Sequence, residues 1–275
     1  MGIGEVGELL RRSTVHIHGQ GRRERSAGSG VIWDSVGTVI TNAHVLGAGE
    51  HLVELWDGRS FRADVKAKDD VRDLAKLKLP ATGLPAATFR MHAMRPGESV
   101  VAVGNPMGFT GALTTGIVHA AGPFPGLGRR PWVQAAIRLA PGNSGGPLAD
   151  AAGHVAGINT MIVSGGIALA IPSAIVEEFV HNGATPRLGV TVRPVLLDGR
   201  GLGLLLLEVE PDSPAAQASL LIGDVLIDFS AAADLVDAIG KVAAGGLKLR
   251  FLRGDRTRER EVVLALAGRL TREAA

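Results

Sequence analysis

The chain contains no cysteine. That excludes disulfides, cysteine-ligated zinc and a thiol nucleophile, and it leaves the redox compartment open. An excess of one charge sign is also lacking: 29 Lys and Arg face 27 Asp and Glu, a net of +2. So even a balance implies no nucleic-acid or membrane-surface partner. Long apolar runs are missing. Stretches such as Leu204 to Leu207 are far too short for a membrane segment, which takes about 20 residues. Met1 to Glu8 shows no charged start leading into an apolar run. A chain that stays in the cytoplasm is therefore expected; an export signal missing from this sequence would place it in the periplasm or cell envelope instead.

What is present is length and glycine. A chain of 275 residues, 46% of them hydrophobic, can build a sizeable core and two domains. Its 38 glycines suit a turn-rich β architecture. The most informative stretch is Ala140-Pro141-Gly142-Asn143-Ser144-Gly145-Gly146-Pro147-Leu148. A serine hydroxyl is a poor nucleophile near neutral pH unless a base takes its proton and donors stabilise the oxyanion. Glycine reaches backbone angles that other residues avoid, so N–H groups around Ser144 can turn toward one point. The expected oxyanion hole is the segment Gly142, Asn143 and Ser144, with the Gly142 and Ser144 N–H groups as its donors.

The base and its orienting acid are found upstream. His44 follows the β-rich run Val36 to Ile40, within Thr41-Asn42-Ala43-His44-Val45. Asp73 opens an alternating strand in which Ala75, Leu77 and Leu79 share one face and Lys76 and Lys78 the other. Asp69 and Asp70 compete as the acid, and Asp73 is preferred because it abuts the strand that would bury it. The order His, Asp, Ser is that of chymotrypsin-like proteases. Gly142 to Gly146 also satisfies the G-x-S-x-G pattern of α/β-hydrolases, which need the acid and the histidine after the serine. Only His154 and His181 follow Ser144, one in a turn and one near a helix end, so that reading is set aside.

Two other patterns take structural readings. Gly2-Ile3-Gly4-Glu5-Val6-Gly7 fits a dinucleotide fingerprint, but no strand precedes it. His16 and His18 share one strand face. With no third ligand nearby they are read as exposed strand histidines, and no metal is expected.

Further motifs fall in order around these: Gly28-Ser29-Gly30-Val31-Ile32, Gly104-Asn105-Pro106-Met107-Gly108, Thr115-Gly116-Ile117-Val118, Gly157-Ile158-Asn159-Thr160 and Ala170-Ile171-Pro172-Ser173. Each is weak alone; together they make the chain resemble the high-temperature-requirement (HtrA/Deg) serine proteases, from about Ser13 to about Ala267. The resemblance implies a mainly β fold, with a chymotrypsin-like double β-barrel protease domain over residues 1–183 and a small α+β PDZ domain over 184–275. It implies an ATP-independent serine endopeptidase that degrades unfolded or misfolded polypeptide with the triad His44, Asp73 and Ser144 and no cofactor. Asn159-Thr160-Met161 would pair with the substrate backbone, and Leu139, Ala140, Ala168 and Ala170 would form the specificity pocket. A proteolytically weak holdase, or a peptide-binding adaptor led by the PDZ domain, is the alternative.

There are departures from the family pattern. Lys76 stands where an apolar residue is usual, and the stretch before Pro141, where small residues and an Asn are usual, reads Gln134-Ala135-Ala136-Ile137-Arg138-Leu139-Ala140. Family trimers are held by N-terminal contacts, often aromatic. Here no Phe, Trp or Tyr precedes Trp33, so a homotrimer stays an open expectation. Beyond the helix stop Asn182-Gly183, the chain is similar to a PDZ module. Leu188, Gly189 and Val190 fall on its carboxylate-binding loop, and Leu235 and Ile239 on the helix beside the peptide groove, which implies peptide C-termini as partners. Strands are expected at Gly203 to Val209, Lys248 to Arg253 and Glu261 to Leu266.

Overall fold

The computed structural model describes residues 2–20, 27–127, 130–163, 166–240, 246–254 and 258–264. They fall into two compact units, Met1–Gly183 and Ala184–Ala275. The first opens with helix α1 (Ile3–Ser13) and continues into β1 (Thr14–Gln20), β2 (Ala27–Ile32), β3 (Thr38–Thr41), β4 (Glu50–Glu54), β5 (Ser60–Asp69) and β6 (Leu74–Lys78). These six strands close a barrel in the order β1-β2-β3-β6-β5-β4. A second closed barrel, ordered β10-β11-β12-β9-β8-β7, is built from β7 (Ser99–Gly104), β8 (Ala112–Pro123), β9 (Pro131–Ile137), β10 (Pro147–Asp150), β11 (Val155–Val163) and β12 (Ile167–Pro172). Helix α2 (Ser173–Asn182) ends this unit.

Strand β6 shows how sequence period sets the barrel. Ala75, Leu77 and Leu79 are buried with Val15, Ile17, Val39 and Leu55 in the interior of the first barrel, while Lys76 and Lys78 alternate to the other side. The Lys76 ammonium donates to the Val180 carbonyl at 3.1 Å. That sets a cation at the negative end of α2, where it complements the helix dipole, and explains how a lysine is held at a usually apolar position.

Helix α1 is not foreseen by the sequence reading. The Gly2 to Gly7 segment, set aside there as a phosphate loop, is the start of this helix, with the Gly2 N–H donating to Glu5 Oε2 at 2.8 Å. Val6 and Leu10, four residues apart on one face, join Val101, Val103, Trp132, Ile158 and Phe179 in one core. At Gly7 the helix passes close to the Leu113 side chain, whose Cδ1 would lie 2.4 Å from an added Cβ.

The second unit is a five-stranded antiparallel sheet in chain order: β13 (Val190–Leu197), β14 (Gly201–Val209), β15 (Val225–Leu226), β16 (Leu247–Leu252) and β17 (Glu259–Leu264). It carries two helices, α3 (Pro214–Gln217) and α4 (Ala232–Gly240). Ser213 caps α3, its hydroxyl accepting from the Ala216 N–H at 3.2 Å. Leu188, Leu235 and Ile239 are buried with Leu204, Leu206 and Phe251 in the core of this unit. The side chains of Leu235 and Ile239, expected on the helix beside a peptide groove, thus pack into this core. The strand expected over Glu261 to Leu266 is seen as far as Leu264, and its last two residues lie outside the described ones. Among the described residues no helix is long and apolar enough to cross a membrane.

Phe179 anchors α2 to the barrel core and is fully buried. Phe179→Ala is expected to cost about 3–5 kcal/mol of stability. Urea unfolding of the full chain measures this, and a loss below about 1 kcal/mol would show that α2 is not integral to the first unit.

Candidate functional site

His44 lies in a short 3-10 turn, Ala43–Val45, at the end of β3. Asp73 precedes β6 with φ of 55°, a left-handed conformation that Asp tolerates better than most side chains. The Asn42 side-chain amide donates to the Asp73 carbonyl at 2.9 Å and fixes that turn. Across from it, His44 Nδ1 lies 2.9 Å from both carboxylate oxygens of Asp73. The His44 backbone N–H donates to Asp73 Oδ1 at 3.1 Å. The rival acids are otherwise engaged. Asp69 Oδ1 accepts the N–H groups of Val71 and Arg72 at 3.0 and 2.9 Å, and Asp70 pairs with Lys68 at 3.1 Å.

Thr160 joins this pair to the serine. Its hydroxyl donates to Asp73 Oδ2 at 2.5 Å, and its carbonyl accepts from Ser144 Oγ at 3.1 Å. The resting serine hydroxyl is thus turned to Thr160 rather than to the imidazole. Burial alone would push the Asp73 carboxyl up. Hydrogen bonds from His44 and Thr160, with the field of the imidazole, outweigh that and hold it below the usual carboxylate range. Arg130, stacked on Trp132 with its guanidinium 4.0 Å from the ring centroid, adds a half-buried positive charge to the field at Asp73. Neither role was legible in sequence: Thr160 was read only as part of a substrate strand, and no motif marks Arg130.

The serine loop is shaped by close backbone approach. A Cβ on Gly145 (φ 84°) would meet the Ser29 carbonyl at 2.0 Å, and one on Gly142 (φ 103°) the Asn105 carbonyl at 2.6 Å. The Ser29 hydroxyl donates to the Gly142 carbonyl at 2.7 Å. Among the described residues, the Gly142 and Ser144 N–H groups make no hydrogen bond to protein, which leaves both able to serve as donors. Asn143 differs. Its backbone N–H and side-chain amide both donate to the Ala140 carbonyl at 3.0 Å, so Asn143 is removed from the oxyanion donors.

Beside Ser144 is a pocket of about 130 Å³ lined by Leu139, Ala140, Pro141, Asn143, Asn159, Thr160, Met161 and Ile162. Ala168 and Ala170, expected on its wall, are instead buried in the second-barrel core with Val118 and Ala135. On β12 they pair with Ile162 and Asn159, which do line the pocket. His16 also departs from expectation. It is buried, not exposed, and burial, with the neighbouring His18, holds its imidazole below the ordinary histidine value.

A trypsin-like peptidase domain is recognised over residues 28–158. The HhoA protein of Synechocystis sp. is 34% identical over 275 residues, 86% of this chain and 69% of its own. A protein of Halomonas elongata, named as a DegP-like periplasmic serine endoprotease, is 36% identical over 86% of this chain and 55% of its own. The chain thus spans about half the length of most of the curated relatives it matches. Among solved structures, an HtrA-type protease, AlgW, with a decapeptide superposes with TM-score 0.69 at 27% identity, covering 98% of this chain and 99% of its own. A serine endoprotease from Yersinia pestis gives 0.71 at 27% identity over 98% of each. The word periplasmic in the relatives' names corrects the expectation of a cytoplasmic chain. With a likeness that runs through two thirds of a relative and through both barrels of solved structures, the chain belongs to the HtrA/Deg family of trypsin-like serine proteases.

Proposed function

We propose that the chain is an ATP-independent serine endopeptidase that cleaves exposed segments of unfolded polypeptide in the periplasm. The observation that carries this is the joining of a base, His44, to a part-buried carboxylate at 2.9 Å, with Ser144 linked to the same Thr160 and two free N–H donors on its loop. Substrate docking would turn the Ser144 hydroxyl from Thr160 toward His44. The imidazole takes the proton as Oγ attacks the scissile carbonyl and returns it to the leaving amine, while Asp73 stabilises the imidazolium. The Gly142 and Ser144 N–H groups receive the oxyanion. The small pocket lined by Leu139, Ala140 and Ile162 suits a short aliphatic side chain.

For the second unit, the reading is a PDZ module. Two observations support it. Strand β13 is an edge strand, paired only with β14 among the described residues, so a peptide can add to it. The Leu188 and Gly189 N–H groups have no described partner, while their carbonyls accept from Ala215 and Glu210. Gly189 (φ 74°) admits this turn, since a Cβ would meet Ser213 Cβ at 2.3 Å. A peptide carboxylate at those N–H groups would be held by charge-assisted hydrogen bonds.

Ser144→Ala should lower casein cleavage by several orders of magnitude, on the order of 10⁴ or more, with the fold intact. Cleavage at the wild-type rate would mean another nucleophile. Casein kept soluble but uncut by the wild type would favour a holdase.

Cleavage needs a neutral imidazole, so activity falls as the base gains a proton. Asp73 is held below the usual carboxylate range and stays ionised through that transition. The acid limb of log kcat/KM against pH should therefore have a slope of about one. A slope of two, or a flat profile down to about pH 4, contradicts these roles.

A peptide with a free apolar C-terminus should bind the full chain at least about tenfold more tightly than its amidated twin, because the amide loses the charged acceptor. Equal affinity of the two, read by fluorescence anisotropy on the Ser144→Ala protein, would remove the carboxylate loop from the reading.

A further inference from the structure

Strand β1 carries His16 and His18 two residues apart, so both side chains leave the same face. Strand β4 runs antiparallel to it, and His16 lies directly opposite Glu54 in the register. The three groups each offer one ligand atom, and these atoms all lie within 4.8 Å of one another. His18 Nε2 is 3.5 Å from Glu54 Oε2, and the two imidazole centroids are 3.8 Å apart. Ligand atoms on a tetrahedral ion with bonds of roughly 2.0–2.1 Å stand about 3.3 Å apart. Small rotations of the partly exposed His18 and Glu54 side chains would reach that spacing.

An ion pair between His18 and Glu54 accounts for two of the three residues but not for the third. His16 is 7% exposed, and its Nε2 is buried without any hydrogen-bond partner among the described residues. A buried imidazole nitrogen left unpaired is costly. Coordination to an ion that His18 and Glu54 also reach would satisfy it.

We propose that His16, His18 and Glu54 form a binding site for a divalent ion of the zinc class. Two histidines and a glutamate are a known zinc ligand set, leaving a fourth position for water. None of the three residues belongs to the catalytic constellation of His44, Asp73 and Ser144. It crosses the β1–β4 seam, where the first barrel closes on itself, so the ion would act as a structural clip across that seam. On its other side β1 pairs with β2, and His16 lies opposite Ser29, whose hydroxyl holds the Gly142 carbonyl.

The test titrates zinc chloride into chelator-stripped full-length Ser144→Ala protein by calorimetry, with thermal unfolding measured in parallel. One zinc per chain and a raised unfolding midpoint are expected. His18→Ala and Glu54→Gln should each weaken binding at least about tenfold; Glu54→Gln keeps the side chain's size and so guards against a folding defect. His154→Ala, at a separate surface histidine paired with Asp150, should leave the affinity unchanged. Zinc affinity within about twofold of wild type in both site variants, or no saturable binding below about 100 μM, would overturn the proposal.

Discussion

One carboxylate is gripped from two barrels, and the site depends on that grip. Asp73 belongs to the first barrel, yet one of its oxygens accepts a hydroxyl from Thr160 on β11 of the second. Taking a carboxylate out of water is costly unless its oxygens are satisfied. Here the His44 ring, the His44 N–H and the Thr160 hydroxyl do so together. The same Thr160 carbonyl holds the serine hydroxyl. A shift between the barrels would therefore disturb the acid and the nucleophile at once.

The serine loop obeys a second constraint, which is steric. Gly142 and Gly145 press against the backbones of Asn105 and Ser29 with no space for a side chain. Their left-handed angles turn the Gly142 and Ser144 N–H groups away from internal partners. The glycines seen in sequence thus have different tasks. Some let backbones approach closely, as at Gly116 against the Ala136 carbonyl, and two free the donors that the chemistry needs.

Much of this was legible because order and alternation carry it. His44, Asp73 and Ser144 follow the protease order, and the Ala75, Leu77, Leu79 alternation places β6 in a barrel. What was hidden is what depends on contacts distant in sequence. Thr160 has no local pattern that ties it to Asp73, 87 residues earlier. Helix α1 was masked because Gly2, Gly4 and Gly7 weaken a helical reading, while its Val6 and Leu10 find partners only in the second barrel. Ala168 and Ala170 came from the family resemblance, and only the folded strands show that they pack in the second-barrel core behind Ile162 and Asn159. Leu235 and Ile239 went to the interior, the usual place for apolar helix residues. His16 shares its periodicity with His18, and only the folded barrel shows that one is buried and that Glu54 stands opposite.

The Ser29 hydroxyl and the Gly142 carbonyl meet across 113 residues of chain. At a synthesis rate of about 5–20 residues per second, roughly 6–20 s separate the appearance of the two groups on the ribosome. In that interval the base and the acid have been made but the cradle of the nucleophile has not. The loop that carries the nucleophile is thus moulded by one of the first strands made, and the cradle of Ser144 is the last part of the site to be completed.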